Sequence, residues 1–349
     1  MEHLVKLHTT DPLTDHRWDE LVASHPNASA FQERGWVEAL VRTYGYEPFV
    51  LTSSPPGEAL TDGILLCRVA SWLTGARAVS LPFADHCQPL LNQGRGEKEF
   101  ASWLQQRCRS DGWKYVELRP LSWSETADHA LPPGRSFGYH VLDLTPTLDE
   151  IFRGFHKSSM QRRIRRAEKE GLSYEVGSGE LLEPFYRLQL ITRRRHRLVP
   201  QPRAWFRNLL ECMGDKAQIR VARKDGIPIA AIFTLRHRST VMYKYGCSDE
   251  TFHNLAAMPF LFWKLIVDSK QWGATNLDLG RSDLDQPGLI AFKDHLGARR
   301  KQITYFRYPE ESQRGAAQAS SVRAMRRLVS CLPDAALSMA GNALYRHVG

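Results

Sequence analysis

The chain has 349 residues, 42% apolar and 24% charged, with 24 Gly and 19 Pro spread along it. That composition excludes a disordered or collagen-like chain, and the length predicts two domains, each with its own core. The formal net charge of +9 is concentrated, because residues 153–207 hold fourteen Lys or Arg against five Asp or Glu, an excess equal to that of the whole chain. Such a footprint suits a phosphate-bearing partner or a solvated helix face.

In chain order, apolar spacing predicts helices at 13–24 and 34–44 and strands at 46–51 and 63–69, with the Ser53-Ser54-Pro55-Pro56-Gly57 loop between the strands. A short strand at 78–81, a helix at 97–111 and an alternating strand at 114–119 follow. A Pro/Gly-rich piece at 131–134 and an apolar run at 139–144 lead to Thr145-Pro146-Thr147, where the composition turns basic. This is the candidate domain boundary. Beyond it come helices at 181–197 and 203–213, then strands at 218–223, 227–236 and 240–247, with a hairpin turn at Asp225-Gly226. Met258, Leu261, Phe262, Leu265 and Ser269 recur at helical spacing, and a strand at 275–279 follows. The segments 111–119 and 272–281 both run from a helix end through Gly into a strand carrying an acid, Leu and Arg. With the matching order of elements, the echo points to an α/β domain of about 150 residues present twice.

The longest uncharged apolar run, 256–263, ends at Lys264 and is far below the ~20 residues of a bilayer span. The first residues carry no apolar leader, so export is not expected. Six cysteines at least twenty residues apart, with no ligand spacing among Cys and His, read as buried thiols of a cytoplasmic protein without a metal.

Several groups fall where a strand ends and a loop begins, the usual position of ligand sites in α/β sheets. The run 243–248 brings Tyr243, Tyr245 and Ser248, which are candidates for substrate contacts or for cross-strand packing, and a polar loop containing Asn254 follows. In 277–283, Asp278 and Asp283 flank Gly280 and Arg281; either acid is a candidate general base or an orienting partner of Arg281. Phe292 and Lys293 precede Gly297, a predicted helix C-cap, and the lysine could hold an oxyanion or a phosphate, or simply cover its helix. Lys157, Arg162, Arg163, Arg165, Arg166 and Lys169 form one basic cluster, and Arg193, Arg194, Arg195 and Arg197 a second. The nucleophile elbow, the phosphate-binding P-loop and the dinucleotide fingerprint are absent, which demotes hydrolases, P-loop NTPases and dinucleotide oxidoreductases.

Phe31 to Trp36, His156-Lys157-Ser158-Ser159 running into Arg162, Tyr243 to Ser248 with Asn254, Asp278-Leu279-Gly280-Arg281-Ser282, and Phe292-Lys293 with Gly297 together resemble the FemAB/FemX-like branch of the GNAT acyltransferase superfamily. The likeness is to the variant met beside bacterial exopolysaccharide genes and covers about residues 3–308. It implies an α/β (α+β) chain of two tandem GNAT-like domains, each a mixed sheet flanked by helices. The corresponding spans are 1–146, then 147–309 with the active site, then a tail over 310–349.

The resemblance also implies transfer of an acetyl or aminoacyl group to an amine or hydroxyl of a cell-envelope or exopolysaccharide precursor. Catalysis is carried over to Lys293, and the basic residues, tRNA among their partners, become donor contacts. Acetyl-CoA-dependent GNAT enzymes have a glycine-rich loop before the helix that follows the fourth strand, and 249–258 has no glycine. No long coiled-coil arm of the kind some tRNA-using members carry is present either, so the donor stays open between acyl-CoA and aminoacyl-tRNA. The acceptor is expected between the two domains. The tail places Val322, Met325, Val329 and Leu332 opposite Arg323, Arg326 and Arg327, a pattern fitting peripheral contact with the inner membrane or docking on the body. The competing classes are a non-catalytic module gripping RNA or an anionic polymer, and a small-molecule N-acetyltransferase.

Overall fold

The apolar spacings become helices and strands in nearly the predicted order in the computed structural model, which describes residues 6–91, 96–123, 131–310 and 334–347. Contacts divide the chain into two units. Among the described residues the first holds those up to Phe137 with 303–310 and 343–347, and the second holds 138–302 with 334–342.

In the first unit, β1 (His8–Thr10), β2 (Glu47–Thr52), β3 (Ile64–Val69) and β4 (Arg77–Val79) pair antiparallel in sequence order. Helices α1 (His16–Ser24) and α2 (Arg34–Tyr44) precede β2, the first capped by the Asp15 carboxylate and the second ended by Gly45 at φ +70°. After α3 (Glu97–Ser110), β5 (Val116–Leu118) joins β4 in parallel, as a helical crossover requires. Phe100, Leu104 and Trp113 pack with Leu51, Ile64 and Leu66 in the core.

The second unit repeats the plan. It begins within β6 (Pro133–Asp143) and continues through α4 (Leu148–Gly154), capped reciprocally by Thr147 and Glu150. A π-turn over Lys157–Gln161 enters α5 (Arg162–Lys169). Next come β7 (Ser173–Gly177), α6 (Leu182–Arg195), α7 (Arg203–Met213), β8 (Ala217–Lys224), β9 (Ile227–His237) and β10 (Thr240–Ser248). The last three strands and β7 form an antiparallel run. The β8–β9 hairpin turns through Asp225 and Gly226 at φ +50° and +79°, the two positive values a tight hairpin needs. After α8 (Ala257–Gln271), β11 (Asn276–Ser282) pairs parallel to β10.

The echoing segments thus occupy equivalent places, each the parallel strand after a helix. Each helix ends at a left-handed glycine, Gly112 or Gly273. The other neighbour of each parallel strand comes from elsewhere in the chain: β6 pairs with β11, and β12 (Arg299–Tyr308), reached after α9 (Pro287–His295), pairs with β5. On α8, Phe260, Leu261, Leu265 and Ile266 are buried with Val241 and Leu277, each such side chain contributing about 1.5–3 kcal/mol.

Some expectations need correction. The piece at 131–134 is not a connector, because β6 starts at Pro133, the strand position where a missing N–H costs least. Residues 250–255 form a 3-10 helix rather than a plain loop. Strands β1, β7 and β12 were not expected; β7 and the start of β12 are largely exposed and lack apolar alternation. The amphipathic stretch at 322–332 lies outside the described residues, and α10 (Asp334–Leu344) follows it. Among the described residues no helix is long and apolar enough to cross a membrane, and no three His, Cys, Asp or Glu converge as metal ligands. Four of the five described cysteines are buried, and burial pushes the Cys87 thiol up to about 12.

Candidate functional site

A cavity of about 300 Å³ opens in the second unit beside the end of β10, lined also from α5, α6, the start of α8 and α9, beyond the level at which β10 pairs with β11. Their parallel pairing runs over Thr240↔Asn276, Val241↔Leu277 and Met242↔Asp278. Just beyond that level each strand breaks register with its other neighbour: β10 bulges against β9 between Tyr243 and Tyr245, and β11 bulges against β6 between Asp278 and Arg281. A bulge bends and twists its strand, so two at one level pull the pair apart.

The β10 bulge decides where the tyrosines go. Residues two apart on a strand normally share a face, but the extra residue puts Tyr243 and Tyr245 on opposite faces. Tyr243 packs on Phe262 of α8, with ring centroids 4.8 Å apart, and lines the cavity. Tyr245 points toward α7, its hydroxyl accepting from Trp205 Nε1 at 2.9 Å and Gln201 Nε2 at 3.2 Å. The Tyr243 hydroxyl lies over Gly246, where a Cβ would come within 2.2 Å of it. Leu289 and Phe292 of α9 complete the apolar wall.

The other end is polar, with Arg163 and Arg195 against one carboxylate, Asp249, whose Oδ1 accepts from Thr251 N and Oγ1. Thr192 of α6 clamps the end of β10, its Oγ1 accepting from Ser248 N at 2.9 Å and donating to Ser248 O at 3.1 Å. Ser248 Oγ is 3.0 Å from His253 Nε2, and Arg195 Nη1 is 3.2 Å from the same nitrogen and 3.3 Å from Ser248 O. A guanidinium only donates, so Nε2 is an acceptor and carries no proton. Partial desolvation, then the Arg195 charge, lowers the His253 pKa, which favours the neutral imidazole. Arg163 of α5 donates to His253 O at 3.3 Å. The 3-10 turn ends at Ala256 with φ +59°, and α8 begins there, its first residues forming part of the wall. First-turn amides have no intrahelical acceptor, so the helix adds its positive end to the two arginines. Ala256 adopts the left-handed turn for which the sequence offers no glycine.

Of the residues singled out from the sequence, Arg163, Arg195, Tyr243, Ser248 and Phe292 line the cavity together. Lys157, Arg162 and Arg166 are exposed, with Arg166 3.6 Å from Glu170; Arg193 is half-buried, and Asn254 is exposed outside the lining. Tyr245 is turned away by the bulge.

The acid and base of β11 and α9 form a separate buried set. Asp278 accepts from Tyr139 Oη at 2.8 Å and from Gly280 N at 2.7 Å. Lys293 Nζ donates to Gly280 O and Arg281 O, both at 3.0 Å. The two side chains hold the β11 bulge from both sides, and neither lines the cavity. His140 beside them is fully buried, with Nε2 3.1 Å from Asp294. Asp283 is partly exposed, 3.6 Å from Arg281. Thr192, His253 and Ala256 escaped the sequence reading. His253 stood in the polar loop already noted, whereas nothing in the letters marks a left-handed alanine.

Residues 154–294 match a family described as "Acetyltransferase (GNAT) domain", so the second unit carries a GNAT-type domain. No curated protein matches the chain. Among solved structures the chain is similar to FemX, with 15% identity and a TM-score of 0.65 over 86% of this chain and 97% of that one. It is also similar to a tandem GNAT protein from the clavulanic acid biosynthesis pathway, at 14% and 0.54 over 86% and 98%. The C-terminal domain of a putative lysylphosphatidylglycerol synthetase from Agrobacterium fabrum is similar at 16% and 0.54 over 90% and 96%. These likenesses show the fold, a tandem arrangement of GNAT-like units.

Proposed function

We propose that the second unit transfers an acyl group from a phosphate-bearing donor to an amine or hydroxyl of a cell-envelope or exopolysaccharide precursor. The observation that carries this reading is the cavity beside the end of β10, apolar at Tyr243 and Phe292 and basic at Arg163 and Arg195 beside the start of α8. The anionic handle of the donor binds the positive end, where charge-assisted hydrogen bonds and helix amides act together. The acyl group lies along the apolar wall, with its carbonyl at the edge of β10 around Gly246, which has no ladder to β11 at that level. Lys293 and Asp278 act mainly by fixing the β11 bulge, and Lys293 adds a positive charge behind the gap that favours a developing oxyanion. Asp283, the more exposed carboxylate, takes the acceptor proton. Both acyl-CoA and aminoacyl-tRNA carry phosphate and an activated acyl group, a thioester in the first and an ester in the second. Residue 195 is central to either, since its guanidinium also fixes His253 and the end of β10.

Calorimetric titration with acetyl-CoA, free CoA, and charged and uncharged tRNA tests the reading. Saturable binding of acetyl-CoA, or of charged tRNA in preference to uncharged, supports it and identifies the donor. Arg195→Ala is expected to weaken that binding by at least about tenfold, the scale of one lost charge-assisted contact. Absence of binding to every donor would overturn it.

A further inference from the structure

We propose that the turn between β3 and β4 of the first unit is a membrane-docking element that inserts Trp72 and Leu73 into the interface of an anionic lipid bilayer. Trp72 is 87% exposed and Leu73 55% exposed, side by side at the tip of the turn. An exposed tryptophan with an exposed leucine beside it has no folding rationale, and the turn is held by more bonds than a loose connection needs.

Ser71 Oγ accepts from the backbone of Leu73 at 3.2 Å and of Thr74 at 2.9 Å, and Gly75 N closes the turn on Ser71 O at 2.8 Å. From outside the turn, His347 Nδ1 meets Ser71 Oγ at 3.0 Å, and His347 O accepts from Thr74 Oγ1 and from Arg77 Nη2, both at 2.9 Å. The His347 ring stands edge-on to the Trp72 ring at 5.5 Å. The two apolar side chains are therefore presented at a fixed tip, and the entropy of ordering them is already spent in folding.

Charge and size select the occupant. No Asp or Glu occurs from Gly63 to Ala84 or after Asp334, whereas Lys114 and Arg346 are exposed beside the turn, and Lys114 Nζ reaches Thr74 O. Two exposed basic side chains beside an apolar tip complement an anionic lipid surface. Tryptophan is the side chain that settles at the headgroup level. Two side chains are too few for the core of a stable protein interface, which buries roughly 1,200 Å² or more.

The test is cosedimentation of the full chain with vesicles of phosphatidylcholine alone or mixed with phosphatidylglycerol. Two variants are compared, Trp72→Ser/Leu73→Ser and Arg323→Ser/Arg326→Ser/Arg327→Ser, with melting temperatures confirming that each is folded. The expected result is salt-sensitive binding to the phosphatidylglycerol vesicles that the first variant weakens by at least about tenfold, since both interfacial side chains are lost. No binding by the parent chain, equal binding to both vesicle types, or loss confined to the second variant would overturn the proposal. So would self-association of the parent abolished by Trp72→Ser, because that would make the tip a protein contact.

Discussion

Gly246 is the residue on which the shape of the cavity depends most directly. A methyl there would meet the Tyr243 hydroxyl at 2.2 Å, and the ring could yield only by swinging into the space a donor would fill. Gly246→Ala is expected to weaken donor binding by about tenfold, as overpacking costs of 1–3 kcal/mol imply. Adding Tyr243→Phe removes the closest clashing atom and should restore part of the loss; a calorimetric double-mutant cycle measures it. Lys293→Met leaves the Gly280 and Arg281 carbonyls without their ammonium donor. It should lower turnover at least about tenfold with KM little changed, as expected for a residue that acts in the transition state rather than in binding. A steady-state assay with each donor, together with a melting curve, separates this from simple unfolding.

At the level of elements, the entry into α8 is the unusual joint. Ala256 sits in the left-handed region, where an L side chain pays about 1–2 kcal/mol, and its carbonyl accepts from Phe260 N to start the helix. Ala256→Gly relieves that strain but gives up a buried methyl worth about 0.8 kcal/mol, so stability should change by less than about 1 kcal/mol. Ala256→Val places a β-branched residue where such residues are outliers, and urea denaturation should show a loss of about 2 kcal/mol or more. The bulges of β10 and β11 are the second device at this level. They account for why the alternation Tyr243, Tyr245 and Cys247, readable as one face, distributes its side chains over two. Period-two reasoning assigns faces correctly only while the ladder stays in register.

For the whole molecule, three histidines share one electrostatic bias. Burial of His140 and partial desolvation of the more exposed His196 and His253 lower their pKa values, with Lys293 adding to the effect at His140 and Arg195 at the other two. In the unfolded chain imidazoles take up protons near pH 6.5. Below that pH the unfolded state therefore binds more protons than the folded state, and stability falls as pH drops. Melting temperature should decline from about pH 6.5 downward, and His140→Gln should flatten the decline, because His140 is fully buried with Nδ1 unpartnered. The basic excess likewise divides at this scale. Arg163 and Arg195 turn into the cavity, whereas Lys157, Arg162 and Arg166 remain on the exposed surface.

Much of the architecture could be read from the letters. Helices at 34–44 and 203–213 and the Asp225-Gly226 hairpin follow from apolar spacing and turn chemistry, which are properties of neighbouring residues. The repeated passage from helix through glycine into strand was legible for the same reason, and with it an α/β plan present twice, whereas its GNAT-like character came from the family resemblance. The site was legible only in part, since Arg163, Arg195, Tyr243, Ser248 and Phe292 could be named but not assembled. Their convergence depends on two bulges, a left-handed alanine and neighbouring strands drawn from distant parts of the chain, and each of these is set by pairing across the sheet. Local periodicity by itself thus determined which elements form and in what order. Tertiary pairing alone decided where β10 and β11 part, because a register shift lowers free energy only against a partner strand that sequence neighbours do not supply.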